Sequence, residues 1–251
     1  MSLKHLARRA AAAPVGVVPS AARRRLAQIL VTAAASAGDA AEGLRELLTI
    51  EDEVTGAINE LALSYGGGVH VKHRLIRYHD FFVDRIKADE LVLDVGCGYG
   101  AVAHSIATRS GARVTGLDLS PDQVARARAR YADSRLSFVV GTAPDELPDG
   151  PFDVIVASNV LEHIDDRRGF LTRIQSRLSP RRWLIRVPMT DRDWTVPLRR
   201  ELGVRHFSDP THFVEYTRES FEREIADAGF AIDHLQVNWG EIWAEVRACR
   251  V

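Results

Sequence analysis

The stretch Leu91-Val-Leu-Asp94-Val-Gly96-Cys97-Gly98-Tyr99-Gly100 constrains this chain more than any other. A short apolar run ends in three alternating glycines, and a helical pattern follows. Glycine has no Cβ, so the backbone there can turn sharply after a buried strand and come close to a ligand. The start of the next helix offers unpaired N–H groups and the positive end of its dipole. Asp118 closes the next apolar run, 18 residues after Gly100. A carboxylate at that point can accept both ribose hydroxyls, which selects a nucleoside. The spacing alone leaves alternatives open. Gly96, Gly98 and Ala101 also satisfy the dinucleotide pattern, and a tight strand–helix turn uses glycines with no ligand at all. Two features separate these. Asp94 precedes the first glycine, where a carboxylate can face an amino group that a dinucleotide lacks. The end of the fourth strand, Ser158 included, brings polar side chains toward the same crevice.

The surrounding pattern predicts the sheet that would carry this loop. Strands are expected at Leu91–Val95, Arg113–Leu119, Leu136–Val140, Phe152–Ala157 and Trp183–Val187. Helices alternate with them near 100–109, from Pro121 with Ser120 as N-cap, over Arg167–Leu178, and over Thr217–Ala228 with Thr217 as N-cap and Gly229 as its stop. Phe230–Val237 and Glu241–Val246 read as a hairpin turned at Asn238-Trp239-Gly240. The alternation implies an α/β fold with a doubly wound, mostly parallel sheet, and the hairpin implies one antiparallel strand. Upstream, residues 39–65 and about 72–87 read as amphipathic helices separated by Gly66, Gly67 and Gly68. The organisation expected is therefore an Ala/Arg-rich extension over 1–38, a helical cap or lid region over 39–88, and the sheet domain over 89–251.

Composition excludes several classes. No run of 18 apolar residues occurs, so no membrane span is expected. Cys97 and Cys249 are the only cysteines, which excludes a disulfide framework and a four-cysteine zinc site and fits a reducing, cytoplasmic setting. The net charge of −1 is uneven: residues 1–38 carry six basic residues and no acid, so the remainder carries −7. A body that acidic is a poor binder of nucleic acid. The Arg-rich start fits an organelle transit peptide or a helical extension, and heavy use of Ala and Arg elsewhere favours the extension.

Taken together, these motifs resemble the class I S-adenosylmethionine (SAM)-dependent methyltransferases. Asp94-Val-Gly-Cys-Gly-Tyr-Gly is similar to the family's first motif, and Asp118-Leu119-Ser120-Pro121 to its ribose-binding strand end. Phe152-Asp153 through Ile164, Ser179 through Pro188, and Thr217 through Phe230 resemble later family segments, although the usual Gly-Gly turn is Arg181-Arg182 here. The resemblance covers about 90–247. It implies a seven-stranded sheet of order 3-2-1-4-5-7-6 with strand 7 antiparallel, and SAM as cofactor. Gly96, Cys97, Gly98 and Gly100 would pass under its methionine part, with Asp94 near the amino group. Asp118 would hold the ribose and Leu119 would pack on adenine. The family's usual acid for the adenine amine is replaced by Thr142 and Ala143. Arg74 or Lys72 would pair with the SAM carboxylate, and Ser158 lines the crevice.

Methyl transfer from a sulfonium needs acceptor, methyl and sulfur in line, and a hydroxyl acceptor must lose a proton. His163, just past strand four, is the candidate base. Glu162 and Asp165 beside it could hold a divalent cation such as Mg2+ that positions a diol, or could be solvated acids opening a helix. Tyr78, His79, His206, His212 and Tyr216 are candidate acceptor contacts, and Trp194, Trp239 and Trp243 could offer flat apolar surfaces to a sugar ring. The acceptor expected is a small polar molecule, a saccharide or glycoside hydroxyl first. The alternatives are a small-molecule nitrogen, RNA held by the Arg23-Arg24-Arg25 arm, or SAM binding without transfer in a regulatory subunit. The N-terminal helices could form a homodimer interface.

Overall fold

In a computed structural model, residues 18–249 are described. Residues 1–17 of the expected transit or extension segment, 1–38, thus fall outside them. Two units divide the chain: residues up to Glu60 together with Arg199–Val204, and Leu61–Leu198 together with Arg205–Val251.

The first unit is built on two helices, α1 (Ser20–Ala35) and α2 (Ala40–Tyr65), of which the second runs on into the other unit. Ala34 and Leu48 are buried, while Leu26, Ile29, Leu30 and Val31 of α1 stay exposed. Arg199 is buried here. Its guanidinium donates to the Leu48 carbonyl at 3.2 Å and to Glu51 at 2.8 Å.

The second unit opens with two short helices, α3 (Lys72–Leu75) and α4 (Tyr78–Val83). One helix is expected over this span. Arg77 breaks it by adopting a left-handed conformation, φ 53°. The alternating elements follow as β1 (Leu91–Val95), α5 (Ala101–Ser110), β2 (Arg113–Asp118), α6 (Pro121–Arg130), β3 (Leu136–Val140), β4 (Val154–Ser158), a 3-10 turn (Leu161–His163), α7 (Arg167–Leu178) and β5 (Arg182–Pro188). Then come α8 (Thr195–Glu201), α9 (Arg218–Asp227), β6 (Phe230–Asn238) and β7 (Glu241–Ala248). Helix α8 and the 3-10 turn carry too few apolar positions to announce themselves in the sequence. Ser120 and Thr217 cap α6 and α9 as expected, Thr217 with a reciprocal bond from Ser220.

The seven strands order as β3-β2-β1-β4-β5-β7-β6. Strands β1 to β5 run parallel, and β7 is antiparallel to both β5 and β6. This is the doubly wound α/β architecture that the alternation implied. Alternate strand residues feed two cores, one on each face of the sheet. Leu93, Val95, Ile155 and Ala157 join Phe170, Ile174, Phe221 and Ile225 on one face. Val92, Val154 and Val156 join Phe82, Ile106 and Val124 on the other. Burial of this kind stabilises at about 25 cal/mol per Å² of apolar surface. The carboxyl ends of β1, β2 and β4 lie in register, so the loops that follow them open on one edge.

Candidate active site

The loop after β1 is shaped by its glycines. Gly96, Gly98 and Gly100 all take positive φ, at 67°, 53° and 77°. A Cβ on Gly96 would lie 2.7 Å from Val160, and one on Gly100 would lie 2.4 Å from the Phe138 ring. A Cβ on Gly98 would meet nothing within 4 Å. Gly96 and Gly100 are therefore needed for packing, while Gly98 borders open space. Cys97 is buried, with its thiol pKa raised by that burial and then by Asp94 and Asp118.

Two carboxylates flank this loop. Asp94 is 1 % exposed, and its Oδ2 has no hydrogen-bond partner. Burial pushes its pKa up to about 8. A carboxylate oxygen left unpartnered in that setting is costly unless the group is protonated or meets a cation. Asp118, at the end of β2, accepts the Gly98 N–H at 2.8 Å and the Ser120 N–H at 2.9 Å. A carboxylate has roughly four acceptor positions, so about two remain for further donors. Leu119 beside it is 71 % exposed and Tyr99 is 48 % exposed, both unusually open for apolar residues. After β3, the Thr142 N–H goes to Glu146 at 2.9 Å, and Ala143 packs against the core. Arg74 and Lys72 stand exposed on α3.

A second cluster forms where the loop before α9 crosses the end of β4. The Phe213 N–H donates to the Glu162 carbonyl at 2.8 Å, which sets His212 beside Glu162 and His163. The His163 and His212 rings meet edge to face at 4.6 Å. Glu162 is fully buried, and neither of its carboxylate oxygens has a partner. Burial raises its pKa to about 7. His163 Nδ1 lies 2.9 Å from Thr211 Oγ1, and His212 Nδ1 lies 2.9 Å from Glu215 Oε1. Glu215 also accepts from Ser208 and Arg192. Burial alone would raise the pKa of Glu215, but bonds from His212, Ser208 and Arg192 hold it down to about 2. The two clusters adjoin through Val160, whose side chain covers Gly96 and whose carbonyl accepts the His163 N–H.

Several expectations are corrected. Asp165 is exposed and lies outside the Glu162 group, and His212 completes that group instead. Tyr216 is a core residue rather than an acceptor contact: it is 1 % exposed and its hydroxyl donates to Glu224 at 2.6 Å. His79 is buried with both ring nitrogens engaged, at 2.6 Å from Ser105 and 2.8 Å from His73. Burial, then the neighbouring His73, lowers its pKa to about 3. Tyr78 is buried beneath the Arg186 guanidinium, 3.8 Å from its ring centre. Trp243 is buried, whereas Trp194 and Trp239 are more than 70 % exposed. His206 is half-buried against Phe207. The sequence pattern passed over Arg186, although a charge inside the apolar run of β5 was its signal. Arg186 is 3 % exposed, donates to Glu241 at 2.6 Å and reaches Ser158 Oγ at 3.2 Å.

A methyltransferase-domain family model matches residues 68–235. Among curated proteins, a probable chloroplastic tocopherol O-methyltransferase from Oryza sativa subsp. japonica is 35% identical over 102 residues, which is 39% of this chain and 28% of that protein. The ajmaline N-methyltransferase of Rauvolfia serpentina is 34% identical over 99 residues, 38% of this chain and 34% of that protein. The matched stretch thus spans about a third of these relatives. The magnesium protoporphyrin IX methyltransferase of Synechocystis PCC 6803, solved with bound SAH, shares the fold with a TM-score of 0.54 at 18% identity, over 71% of this chain and 83% of that chain.

Proposed function

This chain belongs to the class I SAM-dependent methyltransferases, and from that premise we propose that it transfers the SAM methyl group to a hydroxyl of a small polar acceptor, a saccharide or glycoside. The observation that carries the SAM half is the pairing of an open glycine loop with a buried carboxylate that has one unpartnered oxygen. Gly98 borders open space, Asp94 Oδ2 is buried without a partner, and Asp118 keeps spare acceptor positions. This donor set fits the cofactor: a carboxylate for an ammonium, a carboxylate for a ribose diol, and open apolar surface at Leu119 for a base.

SAM supplies an electrophilic methyl carbon on a sulfonium. The protein has to hold the acceptor oxygen in line with that carbon and take up its proton. In such a transfer the carbon–oxygen bond would form as the carbon–sulfur bond broke, with the electron pair left on sulfur. Alignment of this kind lowers the barrier by removing translational and rotational freedom in advance. In this reading the proton goes to the group at the end of β4. His163 is its half-buried member, and burial, then the adjacent His212, lowers its pKa.

Two exposed tryptophans support the saccharide. Trp239 turns the β6–β7 hairpin, and Trp194 precedes α8. Those segments meet at Arg192, whose Cβ would lie 2.5 Å from a Cβ on Gly240. Arg192 also donates to Glu215, the partner of His212. Flat indole faces beside a polar cluster suit a sugar ring. Similarity to an N-methyltransferase supports a small-molecule nitrogen as the second reading. A screen with labelled SAM over sugars, glycosides and amines decides between them. Methylated sugar products support the proposal, and amine products alone overturn its acceptor half.

A further inference from the structure

We propose that Glu162, His163 and His212 form a binding site for a divalent first-row transition cation. One donor atom from each of the three residues lies within 4.8 Å of the others.

The hydrogen bonds around the trio fix which nitrogens are open. The Thr211 hydroxyl gives its single hydrogen to Asp209 at 2.6 Å. It therefore receives one from His163 Nδ1, at 2.9 Å. Glu215 is surrounded by donors, the Ser208 N–H and hydroxyl and the Arg192 guanidinium, so it also receives one from His212 Nδ1. Both rings are thereby held as Nδ1–H tautomers, and each keeps the Nε2 lone pair. The third member is a fully buried carboxylate with neither oxygen partnered. Each residue of the trio thus offers an acceptor atom, and one ligand atom from each lies within 4.8 Å of the others. Burying such acceptors is unfavourable unless a cation or a proton satisfies them.

The supports match a metal site. Histidine ligands ordinarily pass their other ring N–H to a carboxylate or hydroxyl, which fixes the ring and raises its basicity. Glu215 and the Thr211–Asp209 pair fill that role here. Two imidazoles with one carboxylate suit Zn2+, Co2+ or Mn2+ better than Mg2+, which prefers oxygen ligands. Three protein ligands leave coordination positions open, and His163 is only half-buried, so the site faces outward on one side. Its use in catalysis rests on the hydroxyl-acceptor reading above: with His163 as a ligand, the cation, in place of the free ring, would bind acceptor oxygens and loosen their protons. Its existence does not rest on that reading.

The test uses the full chain, stripped of metal with a chelator and titrated with Co2+. Visible absorption and calorimetry report the site. One ion per chain is expected, competed by Zn2+ and not by Mg2+. Glu162→Gln and His212→Ala are each expected to weaken binding at least tenfold. Glu215→Gln, acting through His212, is expected to weaken it about tenfold. Circular dichroism and S-adenosylhomocysteine binding on the same samples confirm that each variant is folded. Absence of stoichiometric Co2+ binding by the wild type overturns the proposal, as does unchanged affinity in folded Glu162→Gln and His212→Ala. If Co2+ binds as expected while S-adenosylhomocysteine does not, the function reading fails and the metal site stands.

Discussion

The carboxylate of Asp118 accepts the backbone N–H of Gly98 at 2.8 Å, across the cleft between two neighbouring strand ends. The residue placed to hold a ribose therefore also pins the loop under the methionine end. Removing it is expected to loosen the loop as well as to delete ligand contacts. Asp118→Ala should lower stability by about 1 kcal/mol, the cost of losing hydrogen bonds to part-buried donors. Urea unfolding measures this, and an unchanged midpoint would show that the Gly98 bond contributes nothing.

The loop glycines should respond differently to the same change. Gly100→Ala forces a methyl group against the Phe138 ring and a side chain into positive φ. It should destabilise by roughly 2–4 kcal/mol. Gly98→Ala meets nothing within 4 Å and bears only the backbone cost of about 1–2 kcal/mol. Its methyl group enters the space assigned to the cofactor, so affinity should fall more than stability. Thermal unfolding with and without S-adenosylhomocysteine separates the two effects. Equal responses from both variants would contradict the assignment of that space.

Binding should depend on pH through Asp94. With its pKa pushed up to about 8 by burial, the free protein holds this carboxyl protonated at pH 6 to 7. A raised acid pKa contributes stability that is complete below about pH 4 and is lost as pH rises through 8. A ligand ammonium favours the ionised form, so binding should release a proton. Affinity for S-adenosylhomocysteine should rise by up to about tenfold per pH unit from 6 toward 8 and then level off. Asp94→Asn should flatten this profile. Calorimetry in buffers of differing ionisation enthalpy counts the proton, and a pH-independent affinity would rule out the pairing.

Glu215 anchors the loop before α9, and its contribution should fade in acid. Its pKa is depressed to about 2, so its stabilisation is present above the ordinary carboxylate range, near pH 4.5, and is lost as pH falls toward 2. Glu215→Ala leaves Arg192 and His212 without their buried partner and should cost about 3–5 kcal/mol. Equal stability of variant and wild type at pH 7 would refute this.

The sheet was legible because its elements repeat with clear periods and capping residues. Ser120, Thr217 and Gly229 bounded helices where the structure has them. Arg77 was not legible, since nothing local marks a non-glycine residue for positive φ. The glycine loop, Asp94 and Asp118 could be located from sequence because they lie within one βαβ unit. The Glu162 cluster could not. His163 and His212 each drew notice, but their meeting depends on the Phe213–Glu162 backbone bond, which no spacing encodes. Tyr216 looked like a ligand contact in its His-rich setting. A bridge between Met189 and Tyr216 carries it into the core instead.

The most direct measurement is calorimetric binding of S-adenosylhomocysteine to the wild type and to Asp118→Ala. The expected result is saturable binding of one molecule per chain, weakened about tenfold or more in the variant, or at least 1.4 kcal/mol. No binding by the folded wild type would contradict the central claim that the β1 loop and Asp118 form a cofactor site.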